Sequence, residues 1–252
     1  MRRFFLFFLL ILFTFSGVEA AAQYEAEPDT TPDNVLLEHQ WSLGVMLHTN
    51  GWGLKFRRGK NVVALRQLMW ELEFSTYKSP KEIRIINPYY SDSKSYIYGK
   101  LNHVFFLRGG VGQQHILNRK PYWGGVQLSI LYYGGISLGL TKPVYLYIID
   151  PTTGEINEEK YDPELHSQNQ DYIFGRASFL SGIVQLGFHP GVYVKTGLDF
   201  EFGIRNKAIS SLEIGGTLDF SPIPISIMAY NPRQQFFLTL YFSLMFGKRF
   251  NK

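Results

Sequence analysis

The sequence predicts an all-β fold: an antiparallel up-and-down transmembrane β-barrel of about eight strands. Three observations carry that reading. The last segment, 235–247, alternates strictly, with Phe236, Leu238, Leu240, Phe242, Leu244 and Phe246 on one parity and Phe237, Thr239, Tyr241, Ser243, Met245 and Gly247 on the other. A period of two places the two sets on opposite faces of a strand, and the first face is wholly apolar. The chain opens on an apolar leader of the exported type. Aromatic residues make up 16% of the 252 residues, with 21 Phe and 16 Tyr, as the interface girdles of a membrane barrel require.

The elements follow in order. Arg2 and Arg3 form a basic end, 4–15 an apolar core, and Ala20, Ala21 and Ala22 a small-residue cleavage site. Residues 1–22 therefore read as a signal peptide cleaved after Ala22. Residues 23–39 read as a flexible periplasmic lead-in, acidic and Pro-containing over 24–33, and 40–252 as the barrel. The chain has no Cys, which excludes disulfides and a lipid-modified cysteine. The net charge of +4 falls by one to +3 when Arg2, Arg3 and Glu19 leave with the leader. That balance is too small and scattered for a nucleic-acid partner.

Alternation recurs along the chain. Leu68, Trp70, Leu72 and Phe74 share a face, opposite Met69, Glu71 and Glu73. Val192, Val194, Leu198, Phe200, Phe202 and Ile204 lie opposite Tyr193, Lys195, Asp199, Glu201 and Arg205. Leu212, Ile214, Leu218 and Phe220 alternate with Glu213, Thr217 and Asp219. Weaker versions occur at 41–47, 101–113, 126–133 and 179–188. A soluble sandwich also alternates. Here, however, the second face is sparse in charge and rich in small residues, which suits a narrow barrel interior.

Short polar stretches at 57–61, 189–191, 205–207 and 231–233 read as turns. The long connections are 78–96 and 150–171. Asn50-Gly51 reads either as a two-residue hairpin, with Leu47 opposite Leu54 and Val45 opposite Phe56, or as a bulge. Gly134-Gly135 reads as a bend or as a break before 138–149. If both are turns, the barrel has ten strands. The last strand should close against 41–47. Counting turns back from a periplasmic C-terminus puts both long connections on the periplasmic side.

Candidate chemistry is sparse. Glu71, Glu73, Arg108, Lys195, Asp199, Glu201, Arg205, Glu213 and Asp219 fall on interior parities, as an ion path, a catalytic carboxylate cluster or a salt-bridged plug. The plug is the expectation, because side chains fill an eight-stranded barrel and buried charges must pair. His39, His48, His103, His115, His166 and His189 form no zinc-site spacing, and no G-x-S-x-G motif is present. Asp150, Glu155, Glu158, Glu159, Asp162 and Glu164 lack the ligand spacing of a calcium loop. The reading calls for no catalytic residue, no metal and no cofactor. Lys78, Lys81, Glu82, Arg84, Tyr89 and Tyr90 form a candidate partner contact, and Tyr96 and Tyr98 a candidate interface belt.

The leader ending in Ala20-Ala21-Ala22-Gln23, the Gly-containing strands and the terminal Phe246-Gly247-Lys248-Arg249-Phe250 resemble small outer-membrane β-barrel proteins of Bacteroidota, in the PorT-like class. Residues 78–82, 98–102 and 142–145 are similar to features of one subgroup. The resemblance implies an eight-stranded barrel without catalytic residues, in a class that includes accessory subunits of secretion and barrel-assembly machines. The sequence reading is thus a non-enzymatic, integral bacterial outer-membrane barrel. Its partners are the lipid bilayer and larger outer-membrane or periplasmic proteins. A small transport or ligand-binding barrel is the alternative. A lipid-modifying enzyme using His166 and Ser167 is the weaker one.

Overall fold

The computed structural model describes residues 38–63, 65–90, 92–119, 125–166, 170–202 and 207–251. The expected leader, most of the lead-in, Ser167 and Arg205 lie outside them. Eight strands close a barrel: β1 (His39–His48), β2 (Gly51–Val63), β3 (Arg66–Tyr77), β6 (Asn102–Asn118), β7 (Gln127–Pro143), β11 (Gly187–Glu201), β12 (Ala208–Ile225) and β13 (Gln234–Phe250). Each pairs antiparallel with its neighbours in the chain's order around the ring, and β1 closes against β13. Closure leaves no free sheet edge, which a lipid environment demands.

The register sets the tilt. A walk across paired residues from Phe236 passes Phe220, Val192, Ile136, Gly109, Leu72, Phe56 and Leu43 and returns to β13 at Phe246. The stagger is ten residues along one strand, and closure with such a stagger inclines the strands to the barrel axis. The walk also stays on one face. Phe236, Leu238, Leu240, Phe242 and Phe246 point outward and are exposed, as are Leu43, Val45, Leu47, Trp52, Leu54, Trp70 and Leu72. Phe237, Thr239, Tyr241, Ser243 and Met245 point inward and are buried. The inside-out polarity predicted from the terminal strand therefore holds around the ring. At the end of the barrel that carries the described ends of the chain, Arg58, Lys60, Arg66 and Lys248 point outward, exposed, where long cationic side chains reach lipid headgroups.

The eight-strand count holds, but one expected strand is absent and the first divides into two relative to the sequence reading. Thr49-Asn50 is a true hairpin turn, with His48 opposite Gly51, Leu47 opposite Trp52 and Val45 opposite Leu54. Residues 179–188 are not a strand: they contain a 3-10 turn, Ile183–Gln185, and β11 begins only at Gly187. Residues 57–61 and 189–191 are strand, not turn. Gly134-Gly135 lies inside β7, and residues 138–149 split into the end of β7 and a separate β8 (Tyr145–Ile149).

These changes reverse the predicted sidedness. With 189–191 inside β11, the long connections leave the barrel at the same end as the Thr49-Asn50 turn. That end is opposite the described ends of the chain, not beside them. There the connections fold. β8 pairs with β9 (Ile156–Lys160) and β10 (Ile173–Arg176), and β4 (Arg84–Ile85) pairs with β5 (Tyr96–Ile97). A short helix, α1 (Pro163–His166), follows β9.

Candidate functional site: a filled lumen under a folded cap

The interior parities of β2, β3, β6, β11, β12 and β13 converge on one charge network. Arg57 Nε donates to Glu71 Oε2 (2.6 Å), and its terminal nitrogens donate to both oxygens of Glu213 (2.6 and 2.9 Å). Lys195 Nζ donates to Glu71 (2.8 Å) and Glu73 (2.5 Å). Arg108 donates to both oxygens of Asp219 (2.8 and 2.7 Å), to Ser75 Oγ (2.8 Å) and to Glu73. Lys55 Nζ lies 2.9 Å from Glu213 Oε2, and Tyr241 donates its hydroxyl to Glu213 Oε1 at 2.5 Å. Four cations (Lys55, Arg57, Arg108, Lys195) thus face four carboxylates (Glu71, Glu73, Glu213, Asp219), all buried. Aromatic faces cover the cations: Arg57 lies 4.7 Å from the Tyr133 ring centroid and Lys195 4.7 Å from that of Tyr241.

Every interior charge read from the sequence and described in the structure points inward. Lys55 and Arg57, the missing half of the balance, fall in or beside a stretch that reads as a turn. The strict inward parity of Gly53, Lys55, Arg57 and Gly59 is the signal that identifies them. Towards the termini, Arg249 pairs with Glu201, and Gln114 donates to Asp199 Oδ2 (3.2 Å). Those residues, with Gln40, Ser42, Arg57 and Ser211, line a small polar pocket with room for about one water-sized molecule. Towards the cap, the lumen turns apolar. Tyr77, Val104, Phe106, Ile225, Ile227, Met228 and Phe237 form a buried cluster, with the Phe106 and Phe237 rings 5.1 Å apart.

Above that seal, three connections knit into the cap. Asn87 Nδ2 donates to the carbonyls of Asp171 (2.9 Å) and Ile173 (2.8 Å). Lys94 bridges Gly175, Lys100 bridges Met228, and Lys81 Nζ donates to Asn231 Oδ1 at 2.9 Å. Tyr96, Val144, Leu146, Tyr161 and Ile173 form the cap's own core. Burial raises the pKa of the Tyr96 and Tyr161 hydroxyls. Tyr96 is therefore core rather than interface belt, and Tyr98 stacks on Tyr230 at 6.3 Å.

The candidate contact residues divide in two. Glu82 holds buried Lys100 (2.7 Å) and accepts from the Ser79 amide (3.1 Å), while Tyr90 packs on Phe174. Lys78, Lys81, Arg84 and Tyr89 are exposed, beside exposed Ile83 and Ile86. His166 takes a structural role: its Nδ1 accepts from the Asp162 amide (2.9 Å) and its ring stacks on Tyr161. Among the described residues no group of His, Cys, Asp and Glu is placed to hold a metal ion.

A closed antiparallel barrel with an apolar outer band, a salt-bridged interior and one capped end defines a transmembrane β-barrel of the outer-membrane type. No family's sequence profile matches the chain, and no curated protein matches it in sequence. Solved structures do. Ail, the attachment invasion locus protein of Yersinia pestis, aligns over 85% of this chain and 100% of its own at 8% identity, with a TM-score of 0.40. Neisserial surface protein A aligns over 84% and 96% at 9% identity, with a TM-score of 0.39. The N-terminal β-barrel domain of Pseudomonas aeruginosa OprF aligns over 84% and 97% at 7% identity, with a TM-score of 0.36. At these values none of them lends this chain an activity.

Proposed function

We propose that the protein is a non-enzymatic integral barrel of the bacterial outer membrane whose cap docks a larger envelope protein, as an accessory subunit of a secretion or outer-membrane protein assembly complex. The observation that carries the reading is the contrast between lumen and cap. The lumen is filled by paired charges and an apolar seal. The cap is folded, yet it leaves Ile83, Arg84, Ile86 and Tyr89 exposed on one connection. Aromatic, aliphatic and arginine side chains on an ordered surface are the composition of a protein interface core. Barrels of this type place their termini in the periplasm, so a cap at the opposite end meets its partner at the outer face.

A photo-crosslinking residue at Tyr89 or Ile86 tests this in native membranes. The expected result is one dominant adduct with a larger envelope protein, and co-purification after gentle detergent extraction. A clean monomer under several mild extractions, with no adduct, overturns the reading. A second reading, a small ligand-binding barrel, would place its ligand at the terminal-side pocket lined by Arg57, Asp199, Glu201 and Arg249, where the buried Asp199 Oδ1 has no hydrogen-bond partner among the described residues. Direct binding that Asp199→Asn abolishes, without a change in crosslinking, would support it.

A further inference from the structure

Residues 177–186 leave the cap and run along the outside of the barrel before β11 begins at Gly187. The Ala177 amide donates to the Tyr145 carbonyl at 3.1 Å. The chain then turns on itself: Ser181 donates to Ser178 (3.2 Å), Ile183 to Leu180 (3.2 Å) and Gln185 to Gly182 (3.0 Å). One side of the segment packs on the barrel wall. The Phe179 ring meets those of His103 and Phe105 at 6.0 and 6.4 Å, and Phe105 stacks in turn on Phe74. Lys142, on the outward parity of β7, is buried beneath the segment: its Nζ donates to the Ser181 carbonyl (2.9 Å) and lies 4.8 Å from the Phe179 centroid.

The other side is bare. Phe179, Leu180, Ile183 and Val184 are exposed by 60%, 68%, 47% and 94%, and Phe188, the first outward side chain of β11, by 61%. Residues 177–188 contain no charged side chain, although 150–176 are rich in them. We infer that this segment is an interfacial lip embedded in the lipid leaflet at the capped end, with acyl chains covering Phe179, Leu180, Ile183 and Val184. Three features select lipid as the occupant. The apolar surface is continuous, through Phe179, Phe105 and Phe188, with the lipid-facing band. Successive tight turns satisfy the Ser181, Ile183 and Gln185 amides internally, which lowers the cost of holding non-strand backbone at the interface while its apolar side chains reach the acyl chains. The cation beneath is already held by Ser181 and a ring, so the lip carries no exposed charge into hydrocarbon. Apolar surface of this extent is otherwise a partner-binding patch.

The inference rests on the transmembrane reading of the barrel, and the test separates the two. Because the chain has no cysteine, Leu180→Cys and Val184→Cys each give a single site for a nitroxide label. The full chain is purified and reconstituted alone in phosphatidylcholine vesicles. Leu238→Cys, on the lipid face, and Glu158→Cys, on exposed β9, serve as references. Power saturation then compares access to oxygen with access to a water-soluble nickel complex. Labels at 180 and 184 are expected to match 238, favouring oxygen about threefold or more. If they match 158 while 238 favours oxygen, the lip is in water and the surface awaits a protein. If 238 itself admits the nickel complex, the membrane reading fails and the lip with it.

Discussion

At the scale of single residues, every charge of the central network faces one of opposite sign, and its weak points are charges with a single such partner. Asp219 receives its ion pair from Arg108, whereas Glu73 is shared between Arg108 and Lys195. Arg108→Ala leaves Asp219 buried without that cation, which typically costs about 3–5 kcal/mol. Its urea midpoint should fall well below that of the wild type. Arg108→Met combined with Asp219→Leu should recover much of the loss, because an apolar pair carries no desolvation penalty. A second residue-level prediction concerns the cap. The Thr152 hydroxyl, and then its amide, hydrogen-bond Asp150 (2.6 and 2.8 Å) and hold its carboxyl below the usual carboxylate range. A carboxyl with a depressed folded pKa contributes order that is fully present above its unfolded value, near 3.8, and lost as pH falls through the lower, folded one. Carbon-detected NMR titration in micelles should show Asp150 titrating below 3.8, and Thr152→Val should bring it back up.

Elements were legible wherever the period of two was unbroken, as in β3, β12 and β13, and misleading where a residue did two jobs. Pro190 reads as a turn because it cannot donate to a ladder. It lies within β11 at a stretch where β7 pairs (Pro190 opposite Leu138) but β12 has not yet joined, its pairing beginning at Val192. A strand free on one side tolerates proline there. Gly51 reads as a turn glycine, yet β3 needs it: a Cβ at that position would meet Thr76 Oγ1 and the Thr76 carbonyl at 2.5 and 2.6 Å. The Gly134-Gly135 pair reads as a break but is a close approach, since a Cβ at Gly135 would lie 2.2 Å from the Gly109 carbonyl. Gly135→Val should therefore block closure of β6 against β7 and abolish the folded, fast-migrating band on unheated gels. The cap was not legible at all. Its core joins Tyr96, Leu146, Tyr161 and Ile173 from connections far apart in the chain, and no local period marks such a set. One buried pair ties its connections together: burial lowers the Lys100 pKa and Glu82 partly restores it. Glu82→Gln should leave that ammonium buried and unpaired, so that amides 96–101 and 227–229 exchange hydrogen faster while the barrel strands stay protected.

For the whole molecule, sidedness follows from one count of strand crossings. An even-stranded barrel returns its last strand to the end where the first began, so every connection belongs to one of two rims. Moving 189–191 from turn to strand transfers both long connections to the rim away from the termini. The physical character of the rims agrees with that assignment. The terminal rim carries outward Arg58, Lys60, Arg66 and Lys248, whereas the opposite rim carries the folded cap and the uncharged 177–188 segment. If the termini are periplasmic, as for other barrels of this type, the exposed β9 residue Glu158 lies outside the cell and Lys207, at the β11–β12 turn, lies inside. Single cysteines at the two positions decide the matter in intact cells with a membrane-impermeant maleimide. Glu158→Cys should label at once, and Lys207→Cys only after the outer membrane is permeabilised. The opposite pattern would put the cap in the periplasm, and its partner there with it.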